Sequence, residues 1–282
     1  MLNEEFRSFL ERLKILISKN SKLIKITLSN VFTLRIIGNK THGDLAEIAL
    51  VEFINQYMYD YKAEHIGKKK FRSKEAEEDI LVINEVNKMQ FLVSIKAYGH
   101  GPLQLSTDKE FKMFPKLDNL FKQKGTDILR GNKEIRRILE SEEFKHLAHL
   151  NVLPLIYDEE NKRCAIMVFD FERLLNDVEI IKLERGEGKR KYPVFRFYNS
   201  DENYICEVRY GGKDANALQR GFWTHTQKAE NYFQNITGWI DYSDNEELIK
   251  LISYSLVSSQ EGHKNAIRFL LEDINKLKII QT

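Results

Sequence analysis

An aspartate and a lysine on a predicted β-hairpin are the residues of this sequence best suited to chemistry. Asp79 begins the strand-like run DILVI, and Lys96 lies 17 positions later, near the end of MQFLVSIKAY. The polar segment Asn84 to Lys88 joins the two runs, which predicts a connection that brings the two side chains together. Hydrolysis of a phosphodiester needs a cation to activate water, and a positive group to orient that water or offset developing charge. A carboxylate and a lysine meet these needs.

The alternation of side chains along a strand adds two neighbours to this pair. Ser94 and Lys96 are expected on the same face of the second strand, and Ile95 on the opposite face. There the Ile95 side chain packs into the core, and its carbonyl is exposed as a further metal ligand. The catalytic candidates on the hairpin are therefore Asp79, Ser94 and Lys96.

Two further acids are candidates for the same site. Glu78 is next to Asp79, and Glu47 lies in the first turn of a predicted helix, DLAEIALVEFINQYM. The apolar residues of that helix, Ile48 and Phe53 among them, predict a buried face, and the helix is expected to pack against the hairpin. An oxygen-rich set favours Mg²⁺, with Mn²⁺ as a substitute, over zinc. The predicted metal ligands are Asp79, Glu47 and the carbonyl of Ile95.

Three short motifs in a fixed order carry a family resemblance. GDLAE at 43–47, EED at 77–79 and SIK at 94–96 resemble the helix glutamate, the aspartate and the x-x-K of type II restriction endonucleases of the PD-(D/E)xK superfamily, in particular its small MspI-like members. The resemblance implies sequence-specific, Mg²⁺-dependent cleavage of double-stranded DNA. Ser94 departs from the family pattern, because a hydroxyl is a poorer metal ligand than the usual acid. Either Glu47 or Glu78 supplies the missing charge, or the protein binds DNA without cutting it.

The N-terminal segment is predicted to be an appendage to the main domain. Phe6, Leu10, Leu13 and Ile17 recur at helical spacing, and a β-rich stretch is predicted from Leu23 to Ile37. Helix-like and strand-like segments then alternate, with VLPLIYD, CAIMVFD, PVFRFY and NYICEVRY as further strands. NKEIRRILESEEFKHLAHL, from Asn132, is a predicted helix, and a short helix is predicted around Phe171 to Asp177. The mixture predicts an α/β or α+β fold.

The resemblance implies a central mixed β-sheet flanked by helices, with a PD-(D/E)xK restriction-endonuclease-like core and helical additions at both ends. With four prolines, no long linker and no internal repeat, the sequence favours one compact domain over several. The predicted single domain, 1–282, consists of an N-terminal helix and strand appendage (1–40), a catalytic core (41–175), DNA-recognition strands and a loop (176–240) and C-terminal helices (241–282).

A polar and aromatic run, GGKDANALQRGFWTHTQKAENYF, is the predicted DNA-reading surface. Arginine pairs with guanine, asparagine and glutamine pair with adenine, and lysine and hydroxyl groups hold phosphates. The aromatic residues of the run, such as Trp223, are interpreted as core. The loop after the catalytic strand is a second candidate surface. The predicted DNA-binding residues are Lys213, Asn216, Gln219, Arg220, Thr224 and His225 in the run, and His100 and Gln104 in the loop.

The family resemblance also implies the partners. They are double-stranded DNA with a short palindromic target, cut by a homodimer or by a monomer that nicks each strand in turn, and a cognate methyltransferase in the same bacterial system. Two alternatives stay open. One is a structure-specific DNA repair or junction nuclease on the same core, and the other is a non-catalytic DNA-binding protein.

Composition excludes several other classes. The formal net charge of +2 gives no general reason to expect nucleic acid, so any basic surface is local. Cys164 and Cys206 have no CxxC or Cys/His spacing, which excludes a zinc module or a disulfide scaffold and fits a reducing cytoplasm. We find neither an export signal nor an apolar run of about 20 residues, the length that a bilayer requires.

Overall fold

The computed structural model describes residues 4–34, 42–66, 79–108, 110–185, 192–210 and 220–245, together with isolated helical positions between 264 and 275; over 42–46 it describes the backbone alone. Its named helices are α1 (Glu4–Lys19), α2 (Ser21–Thr33), α3 (His42–Tyr57), α4 (Met113–Lys124), α5 (Asn132–Leu139) and α6 (Phe171–Asp177). Short 3₁₀ segments occur at Lys145–His149, Glu230–Tyr232 and Ser243–Asn245.

The strands of the described residues are β1 (Tyr61–His65), β2 (Ile80–Asn84), β3 (Gln90–Gly99), β4 (Pro102–Thr107), β5 (Ile128–Arg130), β6 (Val152–Asp158), β7 (Arg163–Phe169), β8 (Ile180–Glu184), β9 (Val194–Tyr198), β10 (Tyr204–Tyr210), β11 (Arg220–His225), β12 (Phe233–Asn235) and β13 (Ile240–Asp241). One sheet has the order β1-β2-β3-β6-β7-β12, with β13 also on β7, and the other has the order β4-β11-β10-β9-β8-β5. The predicted α+β class, with a mixed central sheet flanked by helices, is confirmed.

The chain divides into two compact units. The sheet unit comprises Met1–Leu10, Tyr98–Ile156 and Ile166–Ile236, and the hairpin unit comprises Glu11–Ala97, Tyr157–Ala165 and Thr237–Thr282. All five strand pairs of the β4-to-β5 sheet, which lies in the sheet unit, are antiparallel. Its core is aromatic, with Phe195, Phe197 and Phe222 fully buried and Phe114 of α4 packed edge-on against Phe195.

The N-terminal helix forms where its sequence predicts, but the strand predicted after it is wrong. The apolar residues of α1 that recur at helical spacing are all buried. Residues 21–33 form α2, and residues 35–37 lie outside the described residues. Leu28 lies four positions after Ile24, and Val31 and Phe32 lie three and four positions after Leu28, so a helix buries all four residues on one face. The Tyr157 hydroxyl donates to the Phe32 carbonyl at the end of α2.

In the part of the chain that is described, no helix is both long enough and apolar enough to cross a membrane.

Gly221 is a test of the close strand packing in the sheet unit. Its φ is +141°, and a Cβ added there would overlap the Ser106 carbonyl oxygen of the neighbouring strand β4. We expect Gly221→Ala to destabilise the protein by about 3 kcal/mol, because overpacking and an unfavourable φ add. Gly238→Ala is the matched control, since Gly238 has φ +70° but open space at its Cβ. It should cost about 1 kcal/mol, and equal losses in urea denaturation of the two variants would refute the packing argument.

Candidate metal centre

The hairpin that the sequence predicts is present, with the expected pairing. Strands β2 and β3 are antiparallel, with Ile80 opposite Val93 and Ile83 opposite Gln90. The Asp79 N–H donates to the Val93 carbonyl at 3.0 Å, which extends the ladder one residue beyond β2. Asp79 therefore stands opposite Ser94, and cross-strand partners share one face of a sheet.

The Asp79 carboxylate is fixed by two donors from the facing strand. Its Oδ2 accepts the Ile95 N–H at 2.6 Å and the Ser94 hydroxyl at 3.2 Å. Within the described part of the chain, no donor contacts the other oxygen, Oδ1. The carboxylate is thus held in one orientation while one oxygen stays available to a ligand.

Burial sets the electrostatics of this carboxylate. It raises the pKa of Asp79 above the ordinary value, and the Ile95 N–H, the Lys96 ammonium, the Ser94 hydroxyl and His65 only partly oppose it. Lys96 is therefore close enough to act on the carboxylate, as the hairpin prediction requires. Because the pKa remains raised, these groups do not fully compensate an ionised Asp79. A bound cation would supply the missing compensation.

Glu47 of α3 lies beside a histidine that sequence reasoning missed. Its Oε2 is 2.9 Å from Nε2 of His65, the last residue of β1, and both side chains are largely buried. His65 pairs with Ile80 across β1 and β2 and also acts electrostatically on Asp79. No motif pointed to His65, because only the pairing of β1 with β2 places it next to the hairpin.

The structure thus brings most of the predicted catalytic residues together in the hairpin unit. Asp79, Ser94, Ile95 and Lys96 lie on the hairpin, and Glu47 is connected to it through His65. Glu78 lies outside the described residues.

The donor set fits one hard divalent cation. Across the described ranges there is no cluster of three or more His, Cys, Asp and Glu side chains arranged to hold a metal. The predicted ligand oxygens are Asp79 Oδ1, which accepts no hydrogen bond from a described residue, the Glu47 carboxylate and the Ile95 carbonyl. Carboxylate and carbonyl oxygens suit Mg²⁺, which usually binds one or two carboxylates and keeps several waters.

Two predicted DNA-binding residues have structural partners inside the sheet unit. Gln104 is 6% exposed, and its amide donates to the Arg220 carbonyl at 3.0 Å. Thr224 is 1% exposed, and its hydroxyl donates to the Ile205 carbonyl at 2.8 Å. Both side chains therefore tie neighbouring strands together. Lys213, Asn216 and Gln219 lie outside the described residues.

The other predicted DNA-binding residues are half-buried on the same unit. The Arg220 guanidinium lies 5.6 Å from the centre of the Phe111 ring. Burial lowers the pKa of His225, and the charges of Lys228, Arg209 and His100 lower it further, so His100 and His225 are neighbours. Trp223, interpreted as core, is also only half-buried, with the Arg209 guanidinium 4.9 Å from its ring centre.

The raised pKa of Asp79 makes a prediction about stability. An acid whose pKa is higher in the folded state stabilises the fold below its unfolded pKa of about 3.9, and this contribution is lost as the pH rises through the folded pKa. In a chelator at pH 7, Asp79→Asn should therefore melt at a higher temperature than the wild type, because asparagine accepts the same two hydrogen bonds without the charge. The difference should shrink toward pH 4. A lower melting temperature at pH 7 would show that burial does not penalise the Asp79 charge.

Function is inferred here from the chemistry of the hairpin and of its neighbours. No protein-family model matches the sequence, and comparisons with curated proteins and with solved structures gave no match either.

Proposed function

We propose that this chain is a Mg²⁺-dependent endodeoxyribonuclease of the type II restriction class, with a core of the PD-(D/E)xK kind. One observation carries the proposal. The hairpin register places Asp79 opposite Ser94, the Ile95 N–H fixes the carboxylate, and the Lys96 charge acts on it. An orientated acid with a free oxygen beside an ammonium group is the minimal arrangement for metal-assisted phosphodiester hydrolysis.

The bound Mg²⁺ would polarise a phosphoryl oxygen and lower the pKa of a water molecule. The residues that would hold the ion are Asp79, Glu47 and Ile95, the last through its carbonyl. Lys96 orients the attacking water or offsets the charge that develops on the phosphate. The water oxygen bonds to phosphorus as the bond from phosphorus to the 3′ oxygen breaks, and the leaving oxygen takes up a proton. The products are a 5′-phosphate and a 3′-hydroxyl, as the family resemblance implies.

Ser94 has a different role from the acid that the family usually has at this position. Its hydroxyl donates to Asp79, so it orients the ligand carboxylate and does not need to bind the ion itself. The second negative charge then comes from Glu47, which is buried in the same unit. This division of roles favours one metal ion, because Ser94 adds no charge and Mg²⁺ usually binds one or two carboxylates.

DNA contacts are assigned to residues of the sheet unit that keep accessible surface. His100, Arg220 and His225 are half-buried, and an arginine is suited to guanine in the major groove. Lys213, Asn216 and Gln219 stay predictions from sequence. A short palindrome, read by a homodimer or by a monomer, and a cognate methyltransferase complete the proposed system.

A bacterial cytoplasm is the proposed compartment. Cys164 and Cys206 are both buried and form no disulfide, which suits a reducing environment.

Digestion of unmodified phage DNA by the full chain with Mg²⁺ tests the proposal. A restriction enzyme should give discrete bands that disappear in a chelator. Cleavage of branched oligonucleotides without discrete phage bands would indicate a junction nuclease. DNA binding that survives chelation without any cleavage would indicate a non-catalytic protein, and in both cases the restriction assignment falls.

A further inference from the structure

We infer that His65 is a positioning residue of the metal centre, which acts by holding the Glu47 carboxylate toward the ion. The inference rests on the metal site of the proposed function. His65 Nε2 and Glu47 Oε2 are 2.9 Å apart, and the side chains of His65 and Glu47 are 19% and 11% exposed. Because an ionised carboxylate offers only acceptors, the ring nitrogen is the donor of this hydrogen bond. A carboxylate that is almost excluded from water needs such a donor.

The packing of α3 on β1 explains why the two side chains meet. Tyr61, Ala63 and His65 alternate with exposed neighbours, so they share one face of β1. Asn55 of α3 makes two hydrogen bonds with Ala63, donating to its carbonyl at 3.0 Å and accepting its N–H at 2.8 Å. This clamp fixes the helix against the strand and sets the position of Glu47 relative to His65.

The same strand end is bonded directly to the backbone of Asp79. The N–H of Ile66, the residue after His65, donates to the Asp79 carbonyl at 2.9 Å. His65 is therefore linked to both predicted ligand residues, to Glu47 through its side chain and to the Asp79 backbone through the next residue, Ile66. Groups that hydrogen-bond metal ligands in this way fix the ligand orientation, and their loss typically lowers metal affinity about 10- to 100-fold.

The test is Mn²⁺ binding to the full chain without DNA, measured by titration calorimetry. His65→Ala should weaken Mn²⁺ binding about 10- to 100-fold, and His65→Gln, which keeps a side-chain N–H donor, should recover most of the loss. His149→Ala is the control, because His149 is an exposed histidine of the sheet unit. Circular dichroism checks that each variant is folded.

A double-mutant cycle separates positioning from direct ligation. If His65 acts through Glu47, His65→Ala should have no further effect on Mn²⁺ affinity in a Glu47→Gln background. An equal loss in both backgrounds would mean that His65 acts independently of Glu47 and would overturn the inference, as would wild-type affinity in folded His65→Ala.

The test of the His65 role and the test of the nuclease activity can fail independently. A wild type that binds Mn²⁺ and loses affinity in His65→Ala, yet cuts no DNA, would keep the role of His65 and reject the nuclease. A wild type that cuts phage DNA while His65→Ala binds Mn²⁺ normally would keep the nuclease and reject the role of His65. A wild type that binds no Mn²⁺ would reject both.

Discussion

Asp79→Asn should lower the rate of Mg²⁺-dependent DNA cleavage at least about 1,000-fold. A metal ion supplies several kcal/mol of transition-state stabilisation, and about 4 kcal/mol corresponds to that factor. Asparagine accepts the same hydrogen bonds from Ile95 and Ser94, so the hairpin should stay intact while the anionic ligand is lost. The measurement is the single-turnover cleavage rate of a plasmid that carries one site.

Asp177→Asn is the matched control for this substitution. Asp177 is a half-exposed aspartate at the end of α6 and pairs with Arg173 on the surface. The control should cut at the wild-type rate, and Asp79→Asn should still bind DNA. Cleavage by Asp79→Asn at more than a tenth of the wild-type rate would remove Asp79 from the metal site.

Lys96→Ala should lower the cleavage rate about 100- to 10,000-fold, the range typical of a group that assists proton transfer or water activation. Its positive charge acts on the Asp79 carboxylate, and we propose that it faces the ion and the attacking water. Metal binding should survive the change, because Lys96 is not a ligand. The loss should therefore persist at saturating Mg²⁺.

Lys88→Ala provides the comparison on the same hairpin. Lys88 lies in the turn between β2 and β3, is mostly exposed and pairs with Glu85. Removing it takes away one positive charge from the same hairpin without touching the site. If Lys88→Ala and Lys96→Ala lose activity equally, the effect of Lys96 is only a general contribution of charge to DNA binding.

The parts of the fold that the sequence predicts are those with a local signal. The hairpin follows from two apolar runs around a polar turn, and the short helix at Phe171–Asp177 appears as expected. Asp170 caps that helix by accepting the Arg173 N–H. The predicted helix from Asn132 is shorter than its pattern suggests, since α5 ends at Leu139 and a 3₁₀ segment follows at Lys145–His149.

The wrong predictions concern segments whose conformation or burial is set by tertiary packing. The β-branched and aromatic residues of 23–33 favour a strand by propensity. Their spacing, however, lets a helix bury them on one face, and this packing outweighs the propensity, so the segment is helical. In α3 the predicted buried face includes Ile48, which is 43% exposed, while its neighbour Glu47 is buried. A polar residue on the buried side cannot be recognised from apolar spacing alone.

The sequence predicted the hairpin part of the candidate site and Glu47, but not His65. Asp79, Ser94 and Lys96 follow from the alternation of side chains within one hairpin. The position of His65 depends on the pairing of β1 with β2, and the sequence between these strands contains no turn motif that predicts this pairing. For the DNA-reading set, residue type indicated Gln104 and Thr224, but burial depends on which face of the sheet each occupies.

The central claim is that Asp79 holds a divalent ion beside Lys96. An anomalous difference map from crystals of the full chain soaked in Mn²⁺ tests it most directly. We expect a peak about 2.2 Å from Oδ1 of Asp79, the usual range for an oxygen ligand of a small divalent cation, with Glu47 on the same ion directly or through water. Mn²⁺ bound only elsewhere, or an Asp79 carboxylate without an ion at saturating Mn²⁺, would contradict it.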